Sequence, residues 1–480
     1  MATTASHNVQ LPHVAVFPFM ARGHTIPMIH LACLLRRRRL ATVTFLTTPG
    51  NAPFVRRQLD DDDDVAVVEL PFPDDHRHGG AVECVEALDS LSSFPAFVDA
   101  ASALRPRLEA WLAAATTRPG LLVADALLHW AHDAAADLGV PAVASFGSSM
   151  FAHVMRDVIL RDNPAAALLA GDGGGEEKKA FAVPEFPHVR LTLADIPFPF
   201  DDPSLAGPVI EMDAKIGNAI AGSRGLIVNT FDAMEGHYIE HWDSHHVGHR
   251  AWPIGPLCLA RSPRDVEPLG WMRWLDEKAA AGRAVMYVAL GTMMAVKAAQ
   301  LREMARGLED AGVDFIWAVR PSDADLGVGF EERVEGRGMV VREWVDQWRI
   351  LRHASVKGFL SHCGWNSVME SIAAGVPLAV WPMGAEQPLN AVLAVDELRI
   401  GIRVRVATTG DGVVASEEIT RVARALMVVD RDEKGADGEA ARNVAALAAK
   451  AREAVAEGGS SWKTLEEMVS ALCLPADPSN

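Results

Sequence analysis

Short apolar runs of strand character alternate with segments of helical apolar spacing along this chain, and they do so in two separate series. Val14 to Phe19 is the first run. Ile26 to Leu35 follows with helical spacing and closes on Arg36 to Arg39, where cations suit the negative end of a helix dipole. Ala41 to Leu46, Val65 to Leu70, Leu121 to Ala124, Ala142 to Phe146 and Leu226 to Asn229 read as further strands, with helical patterns over Phe94 to Ala115 and Leu127 to Leu138. A second series begins at Val285 to Leu290 and continues through Phe315 to Val319, Met339 to Val341, Val356 to Leu360 and Leu378 to Trp381. Strands separated by helices form parallel sheets covered on both faces. The expectation is an α/β fold of two doubly wound, Rossmann-like domains facing across a cleft.

A Pro- and Gly-rich stretch between the two series marks the boundary. It divides the chain into a first domain over 1–252, a linker over 253–268, a second domain over 269–460 and a tail over 461–480. The tail carries one apolar stripe, Trp462, Leu465, Met468, Val469 and Leu472, and so should dock as a helix.

Charge narrows the function. With 45 basic against 63 acidic residues the net charge is −18, which repels nucleic acid and anionic membrane. Five cysteines lie scattered without CxxC spacing, as suits a reducing compartment. The start MATTASHNVQLPH lacks a charged segment followed by an apolar core, and no apolar run reaches the roughly 18 residues of a membrane span. A soluble, cytoplasmic monomer is expected.

Trp344 to Gln387 holds the densest chemistry. The strand-like run Val356 to Leu360 ends at Ser361-His362-Cys363-Gly364, and helical spacing resumes over Asn366 to Ala374. A helix start after a short turn offers free N–H groups and a positive dipole end, a site for a diphosphate. Asn366 and Ser367 add donors there, and His362 lies just ahead. Trp344 presents a flat face for a base, Glu370 can accept two ribose hydroxyls, and Glu386 with Gln387 can both accept and donate to a sugar ring. A second pair comes from topology. In a doubly wound sheet the first and fourth strands are neighbours at the switch point, so His24, after the first, and Asp125, ending the fourth, should meet at one crevice. A carboxylate beside an imidazole prepares a general base.

Trp344, Gln347, His353, His362, Cys363, Gly364, Trp365, Asn366, Ser367, Glu370, Pro382, Glu386 and Gln387 together resemble the donor-binding signature of plant family 1 UDP-glycosyltransferases. The segments RGHTIPMIHLA and LLVADALLHW resemble the family's catalytic His and partner Asp segments. The resemblance implies inverting, metal-independent transfer from a UDP-sugar, with His24 as base and Asp125 as its partner. It further implies donor contacts at Thr292, Trp344, Val345, Gln347, His362, Gly364, Trp365, Asn366, Ser367, Glu370, Glu386 and Gln387, glucose as the sugar, and a tail that crosses back to the first domain. UDP-glucose is then a co-substrate, with no cofactor and no metal. Asp346, Lys357, Thr292 and Gly384 depart from the usual pattern.

The acceptor is read from apolar residues near the cleft: Met20, Phe94, Phe146, Met150, Phe151, Phe198, Phe200 and Gly384. They suit a phenolic, flavonoid or terpenoid alcohol, with C-glycosyl transfer or a silent UDP-sugar binder as alternatives. Phe146-Gly147-Ser148-Ser149 lacks a hydrolase GxSxG, which leaves Ser148 as a donor contact. No GxGxxG follows the first strand, against a dinucleotide oxidoreductase. Asp323-Ala324-Asp325 fits a metal-binding DxD pattern but falls in a predicted loop, and His237, His241, His245 and His249 share helical spacing that reads as a solvated surface.

Overall fold

In the computed structural model the first sheet runs β3-β2-β1-β4-β5-β8-β9, from β1 (His13–Phe17), β2 (Thr42–Thr47), β3 (Ala66–Glu69), β4 (Leu121–Asp125), β5 (Ala142–Ser145), β8 (Leu226–Val228) and β9 (Ala251–Pro253). The second runs β12-β11-β10-β13-β14-β15, from β10 (Val285–Ala289), β11 (Asp314–Ala318), β12 (Gly338–Val341), β13 (Val356–Ser361), β14 (Leu378–Val380) and β15 (Gly401–Arg403). A two-stranded hairpin, β6 (Phe181–Ala182) with β7 (Arg190–Leu191), is separate. The structure describes residues 11–59, 64–73, 82–88, 90–114, 118–170, 180–260, 270–291, 296–320, 325–406, 412–427 and 436–473. Thr292, Asp323 and Ala324, and residues 261–268 of the expected linker lie outside them.

Every pairing within the two large sheets is parallel, and helices cover both faces. This follows from the strands themselves: Leu121–Asp125 and Val285–Ala289 are buried at every position, so neither face can meet water. The strand order reverses between β1 and β4, and again between β10 and β13, so each sheet opens a crevice at its switch point.

Three features depart from the sequence reading. The helix expected over Phe94 to Ala115 is two helices, Phe94–Ala100 and Arg105–Ala114, joined by a tighter 3-10 turn. The helix expected from Ile26 begins at Arg22, where Glu86, from the 3-10 turn Val85–Ala87, accepts from the Arg22 N–H at 2.7 Å. Short β9 and β15 have no apolar run long enough to announce them. With β9, Trp252, Ile254 and Leu257 pack in one cluster with Val14, Leu31 and Val123, so first-sheet packing extends into the stretch expected as linker.

The two halves are tied at several points. Leu465, Met468 and Val469 of the terminal helix Ser460–Leu472 join that same first-sheet cluster, Arg38 stacks 3.4 Å over Trp462, and Ser461 Oγ donates to the Gly255 carbonyl at 2.6 Å. Arg403 on β15 pairs with buried Asp195 of the first half at 2.6 Å.

Candidate active site

Asp125 is the last residue of β4 and is 2% exposed. Its Oδ1 accepts from the Leu127 N–H at 3.0 Å, which turns Oδ2 toward His24 Nδ1 at 2.7 Å. His24 stands in the first turn of the helix Arg22–Arg37, one-fifth exposed, with the rings of Phe19 and Phe146 edge-on at 6.0 and 6.2 Å. Burial works to lower its pKa. The Asp125 carboxylate, by charge and by its hydrogen bond, with Glu386 and Glu86, outweighs burial and raises it. The Gly147 backbone lies beside this ring, where a Cβ would make ordinary contact with His24 Cε1 at 3.6 Å. With Nδ1 held by Asp125, Nε2 is the nitrogen left to take a proton.

Across the cleft, β13 passes through a left-handed residue into the helix Trp365–Ala374. That residue is Cys363, at φ +65°, while Gly364 has φ −56° and caps the helix. Gly364 is required for space instead: a Cβ there would sit 2.6 Å from His362 Nε2, and one on Gly291, at φ +77°, would sit 2.8 Å from the same atom. Bare backbone therefore flanks the His362 imidazole, which burial pushes down to a pKa of about 4. It is neutral near pH 7, and a neutral imidazole offers a single N–H donor.

Next to it, Gln347 accepts from the Tyr287 hydroxyl at 3.3 Å and donates to Ser367 Oγ at 2.9 Å and to Glu370 Oε2 at 2.7 Å. Trp344, 43% exposed, meets Phe54 of the first half edge-on at 6.2 Å. Asp346 caps the helix Gln347–Leu351 by accepting from Arg349 N. A side-chain cap thus starts this helix at the position where the resembled pattern commonly has proline.

At the far end, Gln387 Oε1 accepts from the N–H groups of Met383 and Gly384 at 2.9 and 3.1 Å, which leaves its Nε2 donors for a ligand. Burial raises the pKa of Glu386, against its own backbone N–H and the charge of His24. Asn390 donates to Glu386 Oε1 at 3.2 Å and to the Cys363 carbonyl at 3.0 Å.

Among the described residues, Trp344, Val345 and Gln347 follow β12, His362, Gly364, Asn366 and Ser367 follow β13, and Glu386 and Gln387 follow β14; Asn366 lines one hollow with His24 and Asp125, and the Glu386 charge acts on His24. Asn366 joins the sides directly: its amide donates to the Gly23 carbonyl, and its Oδ1 accepts from Asn229 at 3.3 Å. Trp365 is a buried core residue whose Nε1 donates to the Asn229 carbonyl at 3.0 Å, and the Val345 side chain is also buried, so only their backbones can face a donor. Ser148 is buried, and its N–H turns back to the Phe146 carbonyl.

The acceptor reading needs correction at four positions. Met150 and Phe151 are fully buried, with Phe151 against Tyr238 at 5.1 Å, so both serve the core. Phe198 is 72% exposed and turned to the surface. Met20 is buried with its carbonyl bonded to Val85 N, whereas Phe94, Phe146, Phe200 and Gly384 are half-buried. Residues that the sequence reading missed include Glu86, Asn229 and Asn390, whose partners are distant in the chain, and His153. Phe146 lines both the hollow beside His24 and a second one with His153, Arg156, Asp213, Ile216 and Trp242. His153 is 4% exposed, its Nε2 has no partner among the described residues, and burial pushes its pKa down to about 4.

Residues 260–419 match the family model for UDP-glucoronosyl and UDP-glucosyl transferase. UDP-glycosyltransferase 90A1 of Arabidopsis thaliana is 37% identical over 476 residues, with 97% of each chain covered. The chain belongs to the plant family 1 UDP-glycosyltransferases. The anthocyanin 3'-O-beta-glucosyltransferase of Gentiana triflora is 35% identical, over 96% of this chain and 98% of the relative. Among solved structures, Glycyrrhiza uralensis UGT73P12 complexed with glycyrrhetinic acid 3-O-monoglucuronide superposes with a TM-score of 0.82 at 29% identity, covering 96% of both chains. Phytolacca americana UGT2 complexed with UDP-2fluoro-glucose and pterostilbene gives a TM-score of 0.77 at 26% identity, covering 96% and 99%. This UDP-glycosyltransferase therefore has the GT-B fold and transfers a hexose from a UDP-sugar to a small acceptor. No helix among its described residues is long and apolar enough to cross a membrane.

Proposed function

We propose that the transferase moves glucose from UDP-glucose, with inversion and without a metal, to a hydroxyl of a small lipophilic phenolic, flavonoid or terpenoid, acting as a cytosolic monomer. The observation that carries this reading is the 2.7 Å contact of His24 Nδ1 with Asp125, which leaves Nε2 to act as the base. Nε2 takes the acceptor proton as the acceptor oxygen bonds to the anomeric carbon. The bond from that carbon to the diphosphate breaks in the same step, so an α-linked donor gives a β-glycoside. The transition state has oxocarbenium character on the sugar and growing charge on the diphosphate. The helix start at Trp365–Ala374, with Asn366, Ser367 and the neutral His362, suits that charge. Trp344, Gln347 and Glu370 would hold the nucleoside, and Glu386 with Gln387 the sugar.

The anthocyanin and pterostilbene named for the relatives support an aromatic acceptor. In this chain it would lie against Phe146, with His153 reading a polar group at depth. The test is an endpoint assay with UDP-glucose and EDTA against a mixed panel of phenols, flavonoids and terpenoid alcohols, read by mass and by the anomeric proton coupling. A β-hexoside in EDTA is the expected product. An α-anomer, or product only after a divalent metal is restored, overturns the reading.

A further inference from the structure

Away from the cleft, the two halves of the molecule bring a second set of polar side chains together. His188 stands just before β7, His237 on the helix Asp232–His245, and Glu397 at the end of Leu393–Glu397 in the second half. One ligand atom of each lies within 4.8 Å of the other two, the one such trio among the described residues. Two imidazoles and a carboxylate from three separate elements form a donor set that suits a first-row divalent cation.

Local structure supports this reading. Leu393–Glu397 is a π-helical turn, a widened turn that is found at functional sites and that here sets the direction of Glu397. The Glu397 carboxylate is largely buried, and its Oε2 accepts from the Tyr238 hydroxyl at 3.3 Å and meets His188 Nε2 at 3.1 Å. A hydrogen bond of that kind orients a ligating carboxylate. His237 lies on the Tyr238 ring at 3.9 Å between centroids, and Phe186 flanks both histidines at 6.3 and 6.0 Å. Both imidazoles are exposed, so each can rotate the short way to a shell in which ligands stand about 3.4 Å apart around Zn²⁺. The glycosyl transfer uses none of the three.

We infer that His188, His237 and Glu397 form a Zn²⁺ site that bridges the first and second halves of the enzyme, with water completing the tetrahedron. The metal would add a tie between the halves beside the Arg403–Asp195 pair. Ligand loss at such a site costs at least as much as loss of an outer-shell partner, which is roughly 10–100-fold in affinity.

The test is calorimetric titration of the full chain with Zn²⁺, with thermal unfolding in parallel. Wild type is expected to bind one Zn²⁺ and to melt at higher temperature with it, since the metal binds the folded form. His188→Ala, His237→Ala and Glu397→Gln should each lose binding by about tenfold or more, while His241→Ala should not. Co²⁺ should report nitrogen and oxygen ligands, with no thiolate charge-transfer band. Absence of binding, binding that survives all three substitutions, or a thiolate band would overturn the site. Loss in the two histidine variants but not in Glu397→Gln would overturn the bridge.

Discussion

Ser149 Oγ donates to Asn390 Oδ1 at 2.9 Å across the two halves of the enzyme, and neither side chain is exposed. Ser149 caps the helix Met150–Asp162 of the first half, while Asn390 holds the Cys363 carbonyl and Glu386 in the second. One buried amide therefore connects the first half to the turn and the acid of the second. Asn390→Ala removes it and leaves buried polar partners unmatched, at a cost on the order of 1–3 kcal/mol. Denaturant unfolding should show that loss, and steady-state kinetics a raised KM for the UDP-sugar. A variant as stable as the parent would show that the bond contributes nothing.

His24→Ala should lower turnover by roughly 10²–10⁴-fold, the usual worth of a positioned base. Asp125→Asn should lower it too, since the amide cannot stabilise the imidazolium. UDP binding by calorimetry should stay unchanged in both. Parallel loss of UDP binding would assign the pair to the donor site instead.

The pH profile separates the two partners. A base must be neutral to act, so kcat/KM should fall as pH drops through the raised His24 pKa. In Asp125→Asn burial governs, and burial lowers the pKa of an imidazole, so the acid limb should move to lower pH. A limb that stays in place, or moves up, would exclude His24 as the titrating group.

Glu235 is fully buried at a kink in its helix, bonded to Thr230 Oγ1 and to Phe151 N, and burial raises its pKa from 4.5 to about 7. A carboxyl that holds its proton more tightly when folded stabilises the fold below its ordinary pKa. That contribution is lost as pH rises to the folded value. Glu235→Gln keeps the shape and removes the ionisation. From pH 4.5 to about 7 its Tm should improve steadily relative to the parent, with no further gain above. A Tm difference independent of pH would refute this.

Gln387→Ala should raise the KM for UDP-glucose on the order of tenfold, the worth of one or two hydrogen bonds, with a smaller change in UDP affinity. An equal loss for UDP and UDP-glucose would show that Gln387 does not read the sugar.

Much of the fold was legible in the chain because parallel strands buried on both faces must be apolar throughout, as in Val285–Ala289, and periodicity reports that directly. The adjacency of β1 and β4 followed from topology, and with it a reason to connect His24 with Asp125. The group of Gln347, Ser367 and Glu370 was legible because its members lie close in sequence, at spacings set by one strand, one turn and one helix.

Contacts between residues far apart in sequence were not legible, because composition and period carry no record of them. Glu86 starting the helix of His24, Asn366 reaching Gly23, and Asn390 meeting Ser149 are each decided by how two sheets dock. The same holds for aromatic residues: Phe146 edges the site, Phe151 fills the core and Phe198 faces solvent, although all three are equally apolar. Sequence determined the candidate residues and the strands that bear them. The tertiary structure decided which side chains remain available, because burial and hydrogen-bond satisfaction are properties of the packed whole.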